Sequence, residues 1–301
     1  MLAATLLIVT ALAVPVAQER PTRPPQTDET VEVMRGGRLT VDNFAGEVVV
    51  RTWERDSLQV RAWHSSRAKV SVRPVSGGIS VRADQSGRGS VDYEITAPVW
   101  MPIRVVGTYN FITIEGAQAE VSAETTRGDV VVRGGTGNVT AKSITGEVIV
   151  EGARGRITAS SVNEGVRISG ATGDITAESS NGSISLTDIR SQNVEANTIN
   201  GDIEFEGPSL DRGRFRFTTH NGNIIVAIPE TSNVTFTIRS YEGRFTSSLN
   251  LNGPPRSEVR QGRRTLYTLG KGTAEMEIES FDGSIRLIPQ SAFKPRSKRR
   301  D

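Results

Sequence analysis

The amino-acid sequence predicts an all-β chain wound into a right-handed, β-solenoid-like array. Each coil takes about 18 residues and two short strands, stacked as in other repeat proteins, and irregular β caps close both ends. Three observations predict it. A unit recurs every nine residues, marked by Asn110, Ala119, Gly128, Gly137, Gly146, Gly155, Glu164, Gly173 and Gly182, and after one extra residue by Gln192 and Gly201. Units of two kinds alternate, so like returns to like at every second unit. A hydroxyl recurs in the first kind of unit at Thr125, Ser143, Ser161, Ser179, Thr198 and Thr219.

Each observation has a physical reading. Two and four residues after a marker the side chain is apolar or small, as in Val130 and Val132, Val139 and Ala141, or Ile157 and Ala159. Alternation with period two is the signature of a strand with one buried face. The marker glycine is a turn residue, free to take φ > 0. The first kind of unit, as in Asn138-Val-Thr-Ala, carries Ala at its second inward position. The second kind, as in Glu147-Val-Ile-Val, carries Val, Ile or Leu there. A meander needs no such alternation. A coil that lays one strand in each of two facing sheets does, because equivalent residues then stack about 4.8 Å apart. Val130, Val148 and Ile184 are expected in one inward column. The hydroxyls are expected to bond backbone groups at the corner.

Composition agrees. Apolar residues make up 36% and aromatics 5%, too few for a thick core, and 30 glycines suit many tight turns. The 36 basic and 34 acidic residues nearly cancel, which argues against a nucleic-acid partner. Cysteine is absent, excluding disulfides, thiolate metal sites and a thiol nucleophile.

Residues 1–17 read as a secretory signal peptide without a basic leader, so the natural start codon is expected upstream. Once it is cleaved, no transmembrane segment is expected; left uncleaved, the same run would serve as a membrane anchor. Residues 18–30 read as a flexible Pro-rich linker, 31–107 as a sandwich-like N-terminal β lead-in and 108–229 as the regular solenoid. Residues 230–290 read as C-terminal β repeats or cap, with a hairpin excursion over Gln261–Lys271, and 291–301 as a basic disordered tail.

The segment Arg38–Ala62 (RLTVDNFAGEVVVRTWERDSLQVRA), the segment Tyr93–Val105 (YEITAPVWMPIRV) and the recurrent NGxI and TGxV turns resemble the DUF4097 family of β-strand repeat proteins, described as candidate adhesins. The resemblance spans about Val31 to Pro289. It implies an envelope-associated or secreted bacterial protein with a repetitive β fold, and brings no catalytic residue with it.

No chemistry-bearing constellation stands out. His64 and His220 lack partners at metal-ligand spacing and read as strand or turn residues. Gly134-Gly135-Thr136-Gly137-Asn138 starts a calcium β-roll motif, but Val139 stands where Asp is needed. Asp129, Glu147, Asp174 and Asp202 follow marker positions and read as solvated turn residues rather than a glycosidase pair. Glu164, at a marker position, is expected to be exposed, with Gly165 taking up any positive φ. Val131 and Ile149 are apolar on a nominally wet face; strands from residues 31–105 are expected to cover them, the alternative being a partner-binding patch. No catalytic, cofactor-binding or metal-ligating residue is assigned, and no cofactor is expected.

The function expected is a non-catalytic exported module, periplasmic or secreted, that presents a surface for binding or adhesion to an envelope protein or polysaccharide. The alternatives are a sensor or regulatory ectodomain of an envelope-stress system and a polysaccharide-acting enzyme on a β-helix scaffold.

Overall fold

The computed structural model describes residues 23–66, 68–83, 89–254 and 262–294. The signal peptide (1–17), the start of the linker (18–22) and residues 295–301 of the basic tail lie outside the described residues. The N-terminal region holds β1 (Thr27–Glu32), β2 (Arg38–Trp53), β3 (Ser57–Trp63), β4 (Val70–Val75), β5 (Gly78–Ala83), β6 (Asp92–Pro98) and β7 (Ile103–Ala117). The middle holds β8 (Val121–Arg127), β9 (Val130–Gly134), β10 (Thr136–Thr145), β11 (Val148–Glu151), β12 (Arg154–Ser161) and β13 (Val166–Ser169). It continues with β14 (Thr172–Ser179), β15 (Ile184–Thr187), β16 (Arg190–Asn200), β17 (Ile203–Glu206), β18 (Arg214–Asn221) and β19 (Ile224–Ile228). The C-terminal region holds β20 (Val234–Ser240), β21 (Phe245–Ser247), β22 (Thr265–Leu269), β23 (Ala274–Asp282) and β24 (Ile285–Pro289).

Among β8–β19, even-numbered strands pair with even and odd with odd, all parallel. β8, β10, β12, β14, β16 and β18 form one ladder. β9, β11, β13, β15, β17 and β19 form the other. This is the predicted solenoid. Val130, Val148, Val166 and Ile184 are register partners in succession, and all are buried. A meander would have paired each strand antiparallel with its sequence neighbour. The inward column of the first ladder is Ala123, Ala141, Ala159, Ala177 and Ala196, facing a column of Val132, Val150, Ile168, Leu186 and Phe205 in the second. Small opposite large lets the sheets pack closely. Each fully buried Val or Ile stabilises by roughly 1.5–3 kcal/mol. Toward the C-terminal end Phe217 takes the Ala position and packs on Phe205 with ring centroids 5.0 Å apart.

The N-terminal region, whose strands show no nine-residue phase in the sequence, differs from the sandwich-like lead-in expected there. β2 and β7 each run through both ladders: β7 pairs with β8 and then β9, and β2 lies along β7 from Leu39 to Arg51. β5 and β6 form a further coil on the far side of β2. The repeat is hidden because β3 and β4, between β2 and β5, are antiparallel additions on β6 and β5. β1 adds antiparallel to β3, so the flexible linker expected over residues 18–30 gives way to a strand at Thr27. In space the order is thus β5/β6, then β2, then β7.

The C-terminal end is plaited in the same way. β23 and β24, last in sequence, insert between β18/β19 and β20/β21. The expected hairpin excursion instead gives β22, antiparallel on β20. Residues Gln290–Ala292, which overlap the expected disordered tail, form a short 3-10 turn against β19. The outermost strands carry the features that blunt an open edge. β1 exposes Asp28, Glu29 and Glu32, β4 contains Pro74, β21 has 3 residues, and Asn252 bridges the free side of β22. No helix among the described residues is long and apolar enough to cross a membrane.

Candidate functional site: a ridge along one corner

At the corner where the chain passes from the first ladder to the second, successive backbones come very close. A Cβ on Gly128, Gly182 or Gly222 would lie 2.3, 1.9 or 1.9 Å from the carbonyl oxygen of Asn110, Glu164 or Gly201 in the neighbouring coil. At Gly128, Gly182 and Gly222 the marker is glycine chiefly because no side chain fits, whereas Glu164 fills the same position in the coil before Gly182. Glu164 is exposed, as expected, but Gly165 does not take a positive φ. Its constraint is steric, since a Cβ there would lie 2.9 Å from the Ser183 carbonyl.

The hydroxyl column sits just inside this corner. Ser143, Ser161, Ser179, Thr198 and Thr219 each donate at 2.9 Å to the carbonyl of Gly128, Gly146, Glu164, Gly182 and Gly201. All are buried, so these bonds satisfy carbonyls at the corner that would otherwise lose water without a partner. Ser280 extends the column on Gly222. At the N-terminal end Asn43 and Asn110 replace it: Asn43 Nδ2 donates to Asn110 Oδ1 at 2.7 Å and Asn110 Nδ2 to the Asn43 carbonyl at 3.0 Å.

The acidic residues after the markers are tied into the coil-to-coil bonding. Asp129 accepts the Glu147 N–H and Asp202 the Asn223 N–H, each at 2.8 Å. Glu147 pairs with Arg167 at 2.8 Å. At the opposite corner Asp174 accepts from Asn193 Nδ2 at 2.8 Å. The structure therefore gives each of the four a backbone or side-chain partner. His64 contacts Thr27 Oγ1 at 3.0 Å through Nε2, and His220 stacks on Phe281 at 4.7 Å. Among the described residues no group of three or more His, Cys, Asp or Glu could hold a metal ion.

Outside the corner lies a feature that strand alternation does not reveal. One residue per coil points outward from the bend, and at Ile144, Val162, Ile199 and Phe281 it is a large apolar side chain 47%, 42%, 53% and 39% exposed. The register carries this row from Ile144 through Val162, Ser180, Ile199 and His220 to Phe281, with Tyr241 beyond. Beside it runs a ladder of asparagines. Asn181 donates to Asn163 at 3.3 Å, Asn200 to Asn181 at 2.9 Å and Asn221 to Asn200 at 2.7 Å. The signal is present in the sequence as Ser143-Ile-Thr, Ser161-Val-Asn, Thr198-Ile-Asn and Thr219-His-Asn, where an apolar or aromatic residue follows the buried hydroxyl.

Between this ridge and the outward face of the second ladder runs an open groove of about 820 Å³, lined in part by Phe111, Asp129, Glu147, Glu164, Arg167 and Glu204. Val131 and Ile149 lie on that outward face and are half-buried. Strands from residues 31–105 do not cover them, because those strands extend the ladders end to end rather than crossing the face.

Among known proteins, the Toastrack DUF4097 family model matches residues 37–288. No curated protein matches the chain. A solved structure from Clostridium sporogenes, described as a candidate cell adhesion protein, shares 11% identity over 89% of this chain and 100% of its own, with a TM-score of 0.23.

Proposed function

The chain belongs to the Toastrack DUF4097 family, and from that membership we propose that it is a non-catalytic, exported module of the bacterial cell envelope whose long rigid face binds a partner. The observation that carries this reading is the corner ridge. It is a row in which Ile144, Val162, Ile199 and Phe281 expose apolar side chains, with Ser180 and His220 between them, beside hydrogen-bonded asparagines on a backbone that cannot shift without breaking the hydroxyl column. A pre-ordered surface of this kind binds without first losing side-chain freedom. The enzyme alternative is disfavoured by the bonds that hold Asp129, Glu147, Asp174 and Asp202 in structural roles.

Export and binding are tested together. The full-length gene is expressed in a bacterium, and cell fractions are probed for the protein and its intact mass. Recovery outside the cytoplasm, shortened at the N-terminus and retained on washed envelopes, supports the reading. Full-length protein confined to the cytoplasm contradicts it, as does release of soluble sugar from purified envelope polysaccharide by the purified chain.

A further inference from the structure

Over its five middle coils the corner ridge has an approximate two-fold layout along the solenoid axis, while three coils out Thr126 stands opposite Phe281. At its centre is the smallest member of the row, Ser180, beside Asn181. One coil to either side stand Val162 and Ile199, and two coils out Ile144 and His220. The asparagine column across these coils is uncharged. Three coils out the ends carry opposite charge: Arg127 on the N-terminal side and Asp282 on the C-terminal side, with Glu242 one coil beyond. None of the three has an ion-pair partner among the described residues. Arg127 rests over the Tyr109 ring at 5.3 Å, which holds it at the surface.

We propose that this ridge is the self-association surface of the protein, and that a second copy docks on it antiparallel about a two-fold axis through Ser180. Exposed apolar side chains beside an uncharged asparagine column, with Glu164 at its margin, are the composition of an interface core. A surface with positive charge at one end and negative at the other is complementary to itself only when turned end for end. In that arrangement Val162 of each copy meets Ile199 of the other, Ile144 meets His220, and Arg127 faces Asp282 at both ends. A parallel arrangement would set Arg127 against Arg127 and Asp282 against Asp282. The inference stands whether or not the chain is exported.

The chain has no cysteine, so the register can be read by cross-linking single-cysteine variants of the full chain. Ser180→Cys places the two thiols at the axis, and oxidation is expected to give a covalent dimer. Ile144→Cys leaves the thiols about four coils, or ~19 Å, apart, beyond disulfide reach, and is expected to stay monomeric on denaturing gels. Mixing Ile144→Cys with His220→Cys chains is expected to restore a heterodimeric cross-link. Sedimentation equilibrium supplies the second readout. Arg127→Asp and Asp282→Arg should each weaken dimerisation roughly tenfold, and the double variant should recover it. The proposal is overturned if the wild-type chain sediments as a monomer throughout, if Ser180→Cys and Ile144→Cys cross-link equally, or if charge reversal leaves the dimer unchanged.

Discussion

The middle of this molecule and its two ends solve the same problem by different rules. Between β8 and β19 the next coil in sequence is the next coil in space, and each strand's partner is the next strand but one. At the ends that rule breaks. β2 pairs with β6 and β7, with Val48 opposite both Tyr93 and Ile112, and β23 sits between β18 and β20, with Met276 opposite both Phe215 and Phe236. A regular array leaves its last coil held on one side only. Plaiting places β2 and β23, from near the two termini, inside the stack, where both edges are paired.

The charges encode this order. On the outward face of the second ladder Arg61, Glu94, Arg51, Glu115, Arg133 and Glu151 form a chain of ion pairs at 2.6–3.6 Å. Stacking in sequence order would set Glu94 beside Glu115. At the other end Arg214 and Arg216 meet Glu275 and Glu277 only because β23 has displaced β20.

The largest difference between the two rules should appear on deletion. Removing residues 139–156 excises one coil and joins Asn138 to Ile157, and Val139 and Ile157 are register partners. Because repeat arrays are held by nearest-neighbour contacts, this shortened chain is expected to melt cooperatively within roughly 5–10 °C of the parent by circular dichroism. Ending the chain at Thr273 instead takes out the inserted strands. Hydrogen exchange is then expected to lose protection across β18–β22 together. Equal tolerance of both deletions would remove the distinction.

Within the middle, the corner is the rigid part. Gly128→Ala puts a Cβ 2.3 Å from the Asn110 carbonyl at a φ of 121°, whereas Gly152 has a φ of 67° and nothing within 4 Å of where a methyl would stand. The first should cost about 3–4 kcal/mol and the second about 1–2 kcal/mol in urea titrations. Similar costs would mean that strain, not coil spacing, selects glycine at the corner.

The smallest effect is electrostatic. Arg133→Glu sets three acids in a row, and its expected cost is about 0.5–1 kcal/mol at low salt, shrinking in high salt. Hydrogen bonding to Glu151 holds the Arg133 guanidinium above its ordinary pKa, against a smaller lowering from burial. A raised pKa contributes stability that is present below the unfolded value and lost only as pH rises through the folded one. For an arginine that window is strongly alkaline, so the loss on mutation should be flat across neutral pH. A salt-independent cost would mean that the arginine acts through packing.

The middle was legible in the sequence because each coil meets the same local demands. A residue such as Val148 must be apolar, Ser161 must donate, and Gly182 must lack a side chain, so the pattern returns at a fixed interval. The ends were not legible because Val48 finds Tyr93 and Ile112 across several intervening strands, which leaves no period. Asn43 and Asn110 also replace the hydroxyl and glycine markers there. The ridge was half legible. Ile144, Val162 and Ile199 are plain in the sequence, but alternation alone places them on neither face, since they stand where the chain bends.

The plaited order is tested most directly by two double-cysteine variants in this cysteine-free chain. Thr218 is the register partner of Glu279, and Glu279 of Arg239. Thr218→Cys with Glu279→Cys should therefore close a disulfide under mild oxidation. Thr218→Cys with Arg239→Cys, two strands and ~9.6 Å apart, should remain free thiols. Closure of the second pair and not the first would show that the coils stack in sequence order, and would contradict the account.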